Sequence, residues 1–189
     1  MTDAHDGPAT TGSGPSAAGA DAAGGLTHVR EDGSAHMVDV TGKAVTTRVA
    51  TARSSLRTRP DVVARLADGS LPKGEALGTA RIAGIMAAKQ TSTLIPLCHP
   101  LPIGRVTVDF EVGDAEVVVL ASVSTKGVTG VEMEALTAAT VAALTLYDMV
   151  KAVDPLAVVG ETSVTAKQGG KSGDWTREER LAAGQEPTP

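Results

Sequence analysis

The sequence predicts an α+β fold: a ferredoxin-like antiparallel sheet with helices on one face, plus one additional helix. Three observations lead there. The elements follow one another as strand, helices, strand, strand, helix, strand, which is the split βαβ order. Two alternating runs, Val106 to Val112 and Glu116 to Ser124, flank Gly113-Asp114 and read as a hairpin. One long helical stretch, from about Thr129 to Ala152, follows the hairpin. A sheet covered on one face needs cover on the other, and a second copy of the chain can supply it.

In order along the chain, Val45 to Ala52 is rich in β-branched residues and alternates, so it reads as a strand. Pro60 to Ala67 is a short helix, with Pro60 at its start and Gly69 just past its end. Gly74 to Gln90 is a second, Ala-rich helical segment. Its Gly78 and Gly84 lower the helix propensity and allow close packing on a sheet or a neighbouring chain. Thr91 to Pro102 is a loop with three prolines. Asp154-Pro155 stops the long helix, and Ala157 to Ala166 is the last strand.

At 189 residues the chain suits one domain with tails. Residues 1–25 hold almost nothing that can be buried and read as disordered; 26–176 form the folded domain; 177–189 form a polar tail that frays. The only aromatics are one Trp, one Tyr and one Phe, so small aliphatic side chains must build the core. A core that thin points to oligomerisation. A net charge of −5 argues against general nucleic-acid binding, yet leaves room for a locally basic pocket and an anionic small substrate. The single cysteine, Cys98, excludes an intrachain disulfide and fits a reducing cytoplasm. No apolar run reads as a membrane span, and the N-terminus does not read as a secretory signal.

The long helix carries Glu132 and Glu134 at its start, and Asp148 and Lys151 near its end. Residues three apart share a helix face, so Asp148 and Lys151 can form an acid/base pair, although such pairs are more often surface salt bridges. Glu134 and Asp148 share a face too, but lie about 21 Å apart along the axis. They cannot both touch one small reacting centre from one chain. Either Glu134 serves a remote part of a long ligand, or it serves a site completed by another subunit; its plainer role is to complement the helix N-terminus.

Cys98 and His99 sit together in the Pro-rich loop. Zinc needs three or four ligands, and there is no second Cys, while His5, His28 and His36 lie far upstream. Adjacent residues rarely orient as nucleophile and base. The loop either fixes His99 on backbone or lends His99 and backbone amides to a ligand. Lys73, Lys89, Lys126, Lys151, Lys167 and Lys171 lie mostly at element ends or in Gly-flanked loops. Solvated charge is their ordinary role, but converging lysines would suit a phosphate or triphosphate. Gly170-Lys171-Ser172 is no P-loop, because Thr165 stands where that motif requires Gly and no evident helix follows.

Several longer motifs occur in a fixed order: His36-Met37-Val38-Asp39-Val40, Thr79-Ala80-Arg81-Ile82-Ala83-Gly84-Ile85, Ala87-Ala88-Lys89 and Ile95-Pro96-Leu97-Cys98-His99-Pro100-Leu101. Thr129-Gly130-Val131-Glu132-Met133-Glu134-Ala135-Leu136-Thr137, Leu146-Tyr147-Asp148-Met149, Lys151-Ala152-Val153 and Gly169-Gly170-Lys171-Ser172-Gly173 come after them. Together they strongly resemble the cyclic pyranopterin monophosphate synthase family (MoaC) of molybdenum-cofactor biosynthesis, over about Leu26 to Asp174. The resemblance implies a lyase that converts 3′,8-cyclo-7,8-dihydro-GTP to cyclic pyranopterin monophosphate with release of pyrophosphate. It also implies a ferredoxin-like fold and a hexamer, a trimer of dimers, with sites between subunits.

By matching motifs, the resemblance makes Asp148, Lys73 and Lys151 catalytic. The match at Lys73 rests on Lys-Gly alone. Leu97, Cys98, His99, Met133 and Glu134 match substrate-binding positions, as do Arg48, Lys89, Lys167 and Lys171. A cluster such as Lys73 with Lys151 is expected to lower the pKa of one lysine toward neutrality. No resident cofactor or dedicated metal site is implied; Mg2+ can accompany the triphosphate or pyrophosphate. The alternative reading is a non-catalytic, oligomeric purine-nucleotide-binding module.

Overall fold

The computed structural model describes residues 34–185. The chain divides into two units, Met1–His36 and Met37–Pro189, and the second carries all the strands and helices named below. The expected disordered tail of residues 1–25 lies outside the described residues.

The strands are β1 (Thr46–Arg57), β2 (Ile103–Val112), β3 (Glu116–Gly127), β4 (Val158–Gln168) and a two-residue β5 (Trp175–Thr176). They form one antiparallel sheet in the order β2-β3-β1-β4-β5, which contains the ferredoxin-like arrangement. The helices are α1 (Pro60–Ala67), α2 (Ala76–Lys89), α3 (Thr91–Leu94), α4 (Glu132–Val150) and α5 (Arg177–Ala182). α4 packs beside α2 and lies across β1, β3 and β4, while α2 rests on β2. Ala50, Ala52 and Leu56 of β1, with Val117, Val119, Ala121 and Val123 of β3, are buried beneath them. Alternate residues on the opposite face, such as Val49, Thr51, Val118 and Leu120, are only half-buried.

The α2–α4 seam shows why the sequence places small residues there. Ala135, Ala138, Ala139, Ala142 and Ala143 are buried along α4. A methyl group on Gly84 would stand 2.9 Å from Ala138 O, 3.1 Å from Val108 Cγ2 and 3.2 Å from Ala142 Cβ. Gly84 therefore serves a close helix–helix approach within one chain, above β2.

Four expectations need correction. β1 runs to Arg57, past the apolar alternation, because Ser54 and Ser55 are buried and bond toward Gly160 and Thr162 of β4. Part of the Pro-rich loop is the short helix α3, capped back by Ile95 N–H on Thr91 O at 2.8 Å. Residues 177–182, read as tail, form α5. Its reciprocal capping box joins Thr176 and Glu179, and Arg180 stacks over Trp175 at 4.5 Å. Lastly, α4 does match a membrane span in length and apolar composition, contrary to expectation. Buried Ala135, Ala138, Ala139, Ala142, Ala143 and Leu146 supply much of that hydropathy, Leu144 is exposed, and more than half of the span is buried in the fold.

Candidate active site

One cluster forms at the C-terminal end of α4. Asp148 and Lys151 are one helical turn apart, and Lys151 Nζ lies 2.7 Å from Asp148 Oδ1. Lys73 reaches the same carboxylate from the α1–α2 connection, donating to Oδ2 at 2.6 Å and to the Asp148 carbonyl at 2.8 Å. Buried Leu71 anchors that connection, and Gly74 N–H closes its turn on Leu71 O at 2.9 Å. The three side chains are partly open to solvent, so a ligand can reach them. The Lys151 ammonium, then that of Lys73, holds the Asp148 carboxyl down at about 2. Lys151 is not the lysine so lowered: its hydrogen bond to the Asp148 carboxylate raises its pKa. The Asp148 carboxylate outweighs the small opposing effect of desolvation on Lys151.

A second cluster lies at the opposite end of α4. Glu134 is 3 % exposed, and burial, with a smaller contribution from Glu132, raises its pKa. Burial, then the Glu134 charge, pushes the Cys98 thiol up as well, which makes it a poor nucleophile at neutral pH. His99 Nε2 sits 3.0 Å from Val38 O and donates its N–H to it. Leu97 is half-buried on this loop, and Met133 is exposed on α4.

Two basic residues join this cluster from the sheet. Lys167 of β4 donates to Glu132 Oε1 at 2.6 Å. Glu132 is not among the predicted site residues; its signal is its place in the first turn of α4, two residues before Glu134. Arg48 of β1 is buried and donates Nε to Gly127 O and Nη2 to Val128 O, each at 3.1 Å. Gly169 and Gly170, at φ of +82° and +78°, fold the chain over it; side chains there would strike Thr47 O and the Arg48 guanidinium. Arg48 therefore braces the turn at Gly127-Val128 and brings positive charge beneath Gly169-Gly170. Lys89 and Lys171 are exposed.

The structure thus gathers Lys73, Asp148 and Lys151, and separately gathers Cys98, Glu134, Glu132 and Lys167, with Arg48 and His99 on the adjoining turns and loop. The length of α4, about 21 Å between Glu134 and Asp148, keeps the two groups apart within one chain.

Comparison with known proteins bears on this arrangement. The model of the MoaC family matches residues 37–170. The chain belongs to the MoaC family. It is 65 % identical over 151 residues to the cyclic pyranopterin monophosphate synthase of Corynebacterium efficiens, covering 80 % of this chain and 97 % of that one. It is 58 % identical over 154 residues to cyclic pyranopterin monophosphate synthase 2 of Mycobacterium tuberculosis, covering 82 % and 92 %. The enzyme of that name from Streptomyces coelicolor is 56 % identical over 163 residues, covering 86 % and 96 %. The matched family region contains both clusters and α4 between them.

Proposed function

We propose that this chain is the lyase of its family, converting 3′,8-cyclo-7,8-dihydro-GTP to cyclic pyranopterin monophosphate and pyrophosphate in molybdenum-cofactor biosynthesis. The observation that carries the reading is the Lys73–Asp148–Lys151 cluster, set in a chain whose relatives bear that enzyme's name. Rebuilding a purine into a pterin requires repeated proton transfers at nitrogen and carbon. Two ammonium groups on one carboxylate provide them. With Asp148 ionised and Lys151 held protonated, Lys151 first acts as an acid, and Asp148 keeps its ammonium aimed. A substrate that displaces the carboxylate from one lysine lowers that lysine's pKa and turns it into a base.

Closing the cyclic phosphate replaces a phosphorus–oxygen bond to pyrophosphate with one to a substrate hydroxyl. The developing negative charge needs cations, and Lys167, Lys89, Lys171 and the buried charge of Arg48 are the candidates. Leu97, Cys98, His99, Met133 and Glu134 shape the remainder of the pocket. No resident cofactor enters this reading; Mg2+ would travel with the triphosphate or pyrophosphate.

Because α4 separates the two clusters, the reading places each site between copies of the chain. The half-buried sheet face supports such an assembly, and we assign a hexamer built from dimers. The setting is the cytoplasm, to which an unpaired Cys98 is suited.

Pyrophosphate release from the cyclised guanosine triphosphate tests the reading. The intact chain should release it, and a folded Lys73→Ala variant should not. Binding of the nucleotide by the intact chain, with no release, would replace the lyase by the non-catalytic binding module.

A further inference from the structure

Asp154 belongs to neither cluster. It lies three residues past Lys151, in the turn that ends α4, and its carboxylate is buried. A buried carboxylate needs hydrogen-bond partners, and this one finds them on two segments. Oδ2 accepts from Thr58 Oγ1 at 2.6 Å and from the Arg59 backbone N–H at 3.3 Å. Oδ1 accepts from the Leu156 N–H at 3.1 Å. The Arg59 guanidinium stands 3.9 Å from Oδ1 and also donates to Val153 O at 3.0 Å.

Thr58 and Arg59 join β1 to α1, and the far end of α1 leads through Leu71 to Lys73. The other side of the clasp is the end of α4, which carries Asp148 and Lys151. Lys73 and Asp148 are 75 residues apart and meet by exposed side chains, which cannot fix two segments relative to each other. Asp154 can, because it is buried and grips both.

We infer that Asp154 is a positioning residue. By clasping Thr58 and Arg59, it sets the α4 terminus against the β1–α1 junction so that Lys73 meets Asp148. The residue must be a carboxylate because both oxygens accept. Asn has the same volume but only one acceptor oxygen, so its NH2 faces an N–H donor on one side of the clasp.

The kinetic part of the test rests on the lyase reading; the titration does not. In the full chain, Asp154→Asn and Thr58→Val should lower kcat for pyrophosphate release by about 10- to 100-fold, with KM little changed. Adding Lys73→Ala to Asp154→Asn should cost less than it does alone. By carboxyl NMR, Asp148 should titrate at higher pH in both single variants as Lys73 draws away. Thr58→Ser, which keeps the hydroxyl, should restore most of what Thr58→Val loses in both readouts.

A melting temperature that falls while kcat and the Asp148 titration stay put would make Asp154 a mere structural anchor and overturn the inference. If Asp154→Asn does not fold, the Thr58→Val and Thr58→Ser pair decides on the same readouts. If the intact chain releases no pyrophosphate, the lyase reading fails, and the Asp148 titration alone decides on Asp154.

Discussion

Asp148 lies between two lysines, and its environment makes a pH prediction with a definite sign. Its folded pKa of about 2 lies below the ordinary aspartate value. The stability from its two ion pairs is therefore fully present above that ordinary value and fades as pH falls through about 2. Carboxyl NMR should show it ionised at pH 4, and Asp148→Asn should abolish that titration and reduce turnover at least about 100-fold. Glu134 has the opposite sign. Burial raises its pKa, so ionising it costs stability as pH rises above the ordinary glutamate value. Glu134→Gln should melt higher than the intact chain at pH 8, and the gain should shrink toward pH 5. An unchanged difference across that range would place the carboxylate in a better-solvated setting than the fold gives it. Only part of this is legible in the sequence. Helical spacing pairs Asp148 with Lys151, but no local rule brings in Lys73 from 75 residues away; only resemblance points to it.

Among the elements, α1 is the most legible in the sequence and β5 with α5 the least. α1 is bounded to the residue because Pro60 and Gly69 punctuate it. α5 has six residues, too few for a hydrophobic period, and its start is marked only by Thr176 and Glu179. The end of β1 is hidden because Arg53-Ser54-Ser55 carries no apolar alternation, and its burial comes from β4, a partner distant in sequence. Tertiary packing decides such strands. The same packing makes a prediction for the α2–α4 seam. A Cβ on Gly84 would press on the Ala138 backbone, which cannot yield as a side chain does. Gly84→Ala should destabilise by about 1–3 kcal/mol by chemical denaturation, despite alanine's better helix propensity. A neutral or stabilising result would mean that the two helices stand further apart.

At the scale of the whole molecule, the proposed site between copies of the chain predicts complementation between defective chains. Lys73→Ala damages one end and Lys167→Ala the other. Each protein alone should release little pyrophosphate. Mixed and allowed to exchange subunits, they should recover about a quarter of full activity, because half the pairs are mixed and each holds one intact site of two. No recovery after proven exchange would mean that a single chain supplies both ends of the site. Composition hints at this level of organisation through the scarcity of aromatics; it cannot say which surfaces meet, because that depends on how the sheet face and α4 are presented.

The seam of alanine and glycine between α2 and α4 has one more consequence. Those side chains have no rotamers, so the contact forms with almost no loss of side-chain entropy. For the same reason it holds no slack. A seam of leucines can accommodate a wrong-sized neighbour by turning a χ angle; this one can respond only by shifting a helix, and Asp148 and Lys151 would shift with it. Random mutagenesis at Gly84, Ala138 and Ala142, selected for activity, should therefore sort survivors by volume first and polarity second, returning serine more readily than valine.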